Sequence, residues 1–117
     1  MNRVTIWHNP RCSKSREALS IIEEKGLEKE VVKYLETSPT QEEIKDVLVM
    51  LGISPRELMR TKEEIYKELK LKDVDDDALL IKAMAENPKL IERPVLIKNS
   101  KAIIGRPTSI IAAFLEA

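Results

Sequence analysis

Arg3-Val4-Thr5-Ile6-Trp7-His8-Asn9-Pro10-Arg11-Cys12 is the stretch that decides the fold. Residues 3 to 7 are a β-branched and aromatic run, which reads as a short strand. Asn9-Pro10 is a turn signal. From Cys12 a helical pattern begins, with Ala18, Leu19, Ile21 and Ile22 on its buried side, and Gly26 stops it. Residues 30 to 35 (Glu-Val-Val-Lys-Tyr-Leu) read as a second strand. Strand, helix and strand joined this closely make the two strands parallel. Cys12 therefore stands where a strand hands over to a helix.

Working outward, Thr40 and Glu43 form a capping box ahead of Ile44, Val47, Leu48 and Leu51, and Gly52 ends that helix. Ser54-Pro55-Arg56-Glu57 opens another, and Thr61 with Glu64 repeats the box. Asp76 or Asp77 starts a helix carrying Leu79, Leu80, Ala83 and Met84, which Asn87-Pro88 ends. The charged stretch from Lys62 to Asp77 alternates in sign and reads as solvated helix surface. Strands follow at about 94–98 and 101–104, turning at Asn99-Ser100. Gly105-Arg106-Pro107 leads into a last helix with Ile110, Ile111, Phe114 and Leu115. The order is β-α-β, a helical insert at about 40–90, then β-β-α, all within one domain over residues 1–117. A parallel pair and a terminal hairpin make an α/β fold with a four-stranded mixed sheet.

Composition narrows the function. Hydrophobic residues are 43% of the chain and aromatics only 3%, so the core is aliphatic. Twenty basic residues balance twenty acidic ones, which argues against general nucleic-acid binding. A single cysteine forms no internal disulfide, which makes the reducing cytoplasm the expected compartment. One cysteine and one histidine do not supply a Cys/His zinc site, so no metal is expected. The N-terminal run lacks a signal peptide's apolar stretch, and no window reaches the ~18 apolar residues of a membrane span.

Position alone gives Cys12 a chemistry. The first turn of a helix exposes unpaired N–H groups and a positive dipole end, and both favour thiolate over thiol. An ordinary cysteine titrates near about 8.5, and helix N-termini lower that value. Arg11, Lys14 and Arg16 add positive charge, and the Ser15 hydroxyl is expected to donate to the sulfur. A small buried residue is the bland alternative. Arg93-Pro94 precedes the third strand, where an X-Pro bond can be cis, and Arg106-Pro107 precedes the last helix. Taken singly, Arg60, Arg93 and Arg106 read equally well as surface arginines, and His8 as a hydrogen-bonded loop histidine.

Together, His8-Asn9-Pro10-Arg11-Cys12-Ser13-Lys14-Ser15-Arg16, Glu92-Arg93-Pro94 and Ile104-Gly105-Arg106-Pro107 resemble the glutaredoxin-dependent arsenate reductase family. The resemblance runs over essentially the whole chain and includes Gly52 to Arg60 in the insert. The chain ends soon after its last helix, short of the tail that longer members carry. The resemblance implies a thioredoxin-like fold with a helical insertion. It implies Cys12 as nucleophile, with Arg60, Arg93 and Arg106 around the oxyanion. Pro94 matches the family's cis-proline, and His8 and Ser15 match residues placed near the cysteine. It also implies arsenate as substrate, glutathione as co-substrate with no bound cofactor, and glutaredoxin as protein partner. The chemistry agrees: guanidinium forks suit a tetrahedral oxyanion, and a helix N-terminus is itself an anion site. With one cysteine the chain cannot resolve its own intermediate, so redox turnover needs an outside thiol.

Three other readings compete. A regulator of the Spx-like branch shares the fold, but its usual switch is Cys-x-x-Cys, and here the residues are Cys12-Ser13-Lys14-Ser15. A thiol enzyme of related fold acting on another substrate is the second. The third is a protein that binds phosphate-like anions without turnover.

Overall fold

The computed structural model describes residues 3–116. The first strand, β1 (Arg3–Trp7), leads into helix α1 (Ser13–Glu24) and back to β2 (Glu28–Val32). After the insert come β3 (Val95–Lys98), β4 (Lys101–Ile104) and helix α5 (Ile111–Glu116). The sheet order is β2-β1-β3-β4, with β1 and β2 parallel and the other pairs antiparallel. This is the mixed four-stranded α/β sheet expected from the sequence.

The chain divides into two compact units, one built from the segment up to Thr37 together with that from Arg93 on, the other spanning Ser38–Glu92. In the first, Val4 and Ile6 of β1 and Leu96 of β3 pack with Ala18 and Ile22 of α1 and Ile111 and Leu115 of α5. Alternation along β1 puts Val4 and Ile6 on that one face. The buried set is aliphatic, and burying each such side chain contributes about 1.5–3 kcal/mol.

β2 lies earlier than the expected 30–35. Its register runs from Arg3 opposite Glu28 to Trp7 opposite Val32. The His8 N–H gives one more bond, to the Val32 carbonyl at 2.8 Å, and then the chain leaves the ladder toward Pro10. With no partner beyond that point, residues after Val32 turn, and the Lys33 carbonyl accepts from both Glu36 and Thr37 at 2.9 Å. Tyr34 is buried within that turn rather than in a strand.

The second unit holds helices α2 (Gln41–Leu51), α3 (Glu64–Glu68) and α4 (Asp77–Glu86). The Thr40–Glu43 capping box forms in both directions, and Gly52 closes α2 at a φ of 68°. Asp76 caps α4 by accepting the Ala78 N–H. Other expectations need correction. Ser54–Glu57 makes its capping box, but only one 3-10 turn follows, Pro55–Leu58. The cause is competition: the Leu58 carbonyl accepts from Glu92 at 2.8 Å, and the Arg60 N–H donates to Leu90 at 2.7 Å. Backbone groups committed to that bridge cannot continue a helix.

Thr61 does not cap α3. Glu63 is the residue before that helix, and it pairs with Arg60 instead. The charged stretch is not one solvated helix, because Tyr66 and Leu71 are buried in it. Arg56 organises the segment by donating from Nη1 to the Tyr66 hydroxyl and the Leu71 carbonyl, and from Nη2 to the Val74 carbonyl. On α4, Leu80, Ile81, Ala83 and Met84 are buried, while Leu79 is 51% exposed. Among the described residues no helix is long and apolar enough to cross a membrane.

Candidate active site

Asn9 shapes the loop that delivers Cys12. Its side-chain oxygen accepts the Arg11 N–H at 3.0 Å, and its carbonyl accepts the Cys12 N–H at 3.0 Å. The Arg16 guanidinium braces the same loop by donating to the Pro10 carbonyl at 2.9 Å. Cys12 then occupies the cap position of α1, in extended backbone, and its carbonyl accepts the Arg16 N–H. The sequence carried the Asn-Pro turn signal, but not that Asn9 would fasten both the loop and the cap.

His8 and Ser15 come together beneath this loop. Ser15 Oγ lies 2.6 Å from His8 Nδ1 and accepts the Asn9 N–H at 3.0 Å. Which of the two donates follows the tautomer of the ring. Burial holds the His8 pKa below its ordinary value, and the charges of Lys33 and Arg16 lower it further. The Ser15 hydroxyl is engaged with His8 and Asn9, whereas the sequence offered it to the sulfur. Its backbone N–H faces the sulfur instead.

The sulfur's surroundings set its chemistry. Cys12 is 8% exposed, and burial pushes the thiol up. The Ser15 N–H, the Arg93 charge and the Lys14 N–H outweigh it, so the pKa falls below that of an ordinary cysteine. The Cys12 side chain makes no capping hydrogen bond of full geometry, so these N–H groups act as dipoles aimed at the sulfur. Arg106 Nη2 also donates to Cys12 Sγ at 3.6 Å. The nearby cations therefore come from the far end of the chain. Two of the local ones are engaged elsewhere: Arg16 holds the loop and Lys14 pairs with Glu17.

Arg93 and Arg106 are linked, since Arg106 Nε donates to the Arg93 carbonyl at 2.8 Å. Both residues precede prolines in cis peptide bonds, Arg93-Pro94 and Arg106-Pro107. The first was named from the sequence; the second was not. Gly105 lets β4 end close to Pro94: its N–H donates to the Pro94 carbonyl at 2.8 Å. A Cβ there would lie 3.0 Å from side-chain carbons of Leu96 and Pro94. Arg93 Nε is buried and has no hydrogen-bond partner among the described residues. A buried guanidinium N–H without an acceptor suits an anionic ligand.

Cys12, His8, Ser15, Arg93, Pro94 and Arg106 thus all belong to the first unit. Arg60 belongs to the second. Its Nη1 pairs with Glu63 at 3.1 Å and its Nε with Glu92 at 3.7 Å. No group of three or more His, Cys, Asp or Glu among the described residues could hold a metal ion. A depressed thiol beside two arginines can attack an oxyanion's central atom while the guanidinium groups take up charge on its oxygens.

Comparison with known proteins bears on this arrangement. Residues 7–114 match the model of the ArsC family. An arsenate reductase of Neisseria meningitidis is 52% identical, covering 98% of this chain and 100% of that one. An arsenate reductase of Escherichia coli is 38% identical, covering 98% and 82%. The solved structure of an arsenate reductase from Vibrio cholerae superposes with a TM-score of 0.91 at 50% identity, covering 95% of this chain and 96% of that one.

Proposed function

The chain belongs to the ArsC family, whose solved members share its thioredoxin-like fold, and from that membership we propose that it is an arsenate reductase working through Cys12 with outside thiols. The observation that carries the reading is the donation of Arg106 to the Cys12 sulfur, in a site where Arg93 also lowers the thiol pKa.

The Cys12 thiolate attacks arsenic(V), and a water or hydroxide leaves, giving a Cys12–arsenate adduct. Arg93 and Arg106 donate to its oxygens as charge builds on them. The thiolate of glutathione then attacks the Cys12 sulfur. The sulfur–arsenic bond breaks, and its electron pair stays on arsenic, which leaves as arsenite. Cys12 is left in a mixed disulfide with glutathione. The thiolate of glutaredoxin takes the glutathionyl group and frees Cys12. The chain's lone cysteine is what makes external thiols necessary. Arg60 is the third arginine of this reading, and its Nη1 and Nε are engaged by Glu63 and Glu92. The setting for this chemistry is the cytoplasm, where thiols are kept reduced.

Arsenate-dependent NADPH oxidation, followed with glutathione, glutaredoxin and glutathione reductase present, tests the proposal. Turnover is expected to need arsenate and both thiol components, and to vanish in Cys12→Ser. Turnover that runs equally well when thioredoxin and its reductase replace them would overturn the glutaredoxin dependence. No turnover with either system would overturn the arsenate reductase itself.

A further inference from the structure

We propose that the same Cys12 site reduces small hydroperoxides, with a low-molecular-weight thiol as the electron donor. The inference takes from the proposed function only the reactive Cys12 and its regeneration by thiol; it does not require arsenate to be the substrate.

Attack of a thiolate on a peroxide has two needs: a sulfur that a small oxidant can reach, and donors for the negative oxygen that leaves. Cys12 keeps 8% of its surface, so the residue is not fully sealed from solvent. Arg106 Nη2 stands 3.6 Å from the sulfur. Arg93 also acts on the sulfur through its charge and side chain, and its buried Nε has no acceptor among the described residues. An oxygen bound to Cys12, or leaving from beside it, therefore lies among guanidinium donors that an ordinary exposed cysteine lacks. Thiolate character favours the same reaction.

The steps balance. The Cys12 sulfur attacks the terminal oxygen of ROOH, and the oxygen–oxygen bond breaks. The leaving alkoxide or hydroxide takes a proton from solvent, giving ROH. Sulfur is oxidised to the sulfenic acid and the peroxide is reduced. The chain has no second cysteine to condense with it. An external thiol R′SH therefore attacks the sulfenic sulfur, releasing water and leaving a mixed disulfide. A second R′SH frees Cys12 and yields R′SSR′. The sum is ROOH plus two R′SH giving ROH, water and R′SSR′.

Reduced full-length protein is mixed with hydrogen peroxide or cumene hydroperoxide. Dimedone traps the sulfenic acid, and intact mass follows the adduct. Peroxide consumption with glutathione, glutathione reductase and NADPH is measured beside it, and the arsenate assay is run on the same preparation. The expected result is a single dimedone adduct at Cys12, formed faster with hydrogen peroxide than with cumene hydroperoxide and slowed by inorganic phosphate. Arg106→Ala should form it about tenfold more slowly, the rate effect of losing one charge-assisted contact. Arg106→Lys, which keeps the charge, serves as the folded control and should fall between the two. Peroxide consumption no faster than that of free glutathione at the same pH would overturn the proposal. So would wild-type rates in both Arg106 variants. Arsenate turnover without peroxide turnover overturns this inference alone, and the reverse result overturns arsenate reduction alone.

Discussion

At Cys12 burial and hydrogen bonding pull in opposite directions. Removing the sulfur from water disfavours its charge, and two helix N–H groups with Arg93 restore it. Iodoacetamide alkylation followed against pH should therefore show a midpoint below that of a model cysteine peptide; a midpoint at or above the peptide's would contradict the balance drawn here. His8 makes the complementary case. Its folded pKa lies below the ordinary value, because burial and the charges of Lys33 and Arg16 oppose protonation. The unfolded chain then takes up a proton first as pH falls. Stability from a neutral His8 is fully present above about pH 6.5 and is lost as pH drops toward its folded pKa. Urea unfolding between pH 8 and 5, compared with that of His8→Asn, should show the wild type losing more stability on acidification. A neutral His8 adds no charge to the thiolate; it works by holding Ser15, whose N–H faces the sulfur.

At the scale of elements, the site depends on where strands stop. Gly105 lets β4 end against Pro94 and so sets where Arg106 begins. Gly105→Ala places a methyl 3.0 Å from carbons of Leu96 and Pro94 and should cost about 1–3 kcal/mol by overpacking. Thermal melting measures that loss, and kcat for arsenate should fall with it because Arg106 shifts. The capping box at Thr40 belongs to the other unit, and Thr40→Ala should cost about 1 kcal/mol of stability while leaving Cys12 alkylation unchanged.

These elements also mark what a sequence can convey. Capping boxes, αL glycines and hairpin turns are local, so α2, the start of α4 and the Asn99-Ser100 turn were legible from residue types. The end of β2 was not, because it is set by where β1 stops offering partners. The helix expected after Pro55 was lost to a bridge with residues 90–92, distant in sequence. The site divides the same way. Cys12 at a helix start was legible, but the local cations were given a role that Arg93 and Arg106 hold. Only the motif resemblance pointed to those two arginines, since their approach to Cys12 depends on β3 and β4 pairing.

For the whole molecule the net charge is zero, so a general salt effect on stability should be small. A specific effect is expected from tetrahedral oxyanions. Sulfate, phosphate or arsenate should raise the melting temperature by mass action, with about 2.7 kcal/mol gained at a hundred times Kd, and chloride at equal ionic strength should not. Arg93→Ala and Arg106→Ala should abolish most of that rise while changing the anion-free melting temperature little. Equal rises in the variants and the wild type would place the anion elsewhere on the protein.

In the proposed reaction arsenate's oxidising equivalents pass through the Cys12 sulfur to an external thiol, in one covalent event. Intact-mass analysis of the protein, incubated without oxygen with arsenate and glutathione but no glutaredoxin, observes it directly. One glutathionyl group should accumulate on Cys12, in step with the arsenite released, only when both reagents are present, and added glutaredoxin should remove it. Arsenite released with Cys12 unmodified throughout, or a glutathionyl group that forms equally without arsenate, would contradict the account.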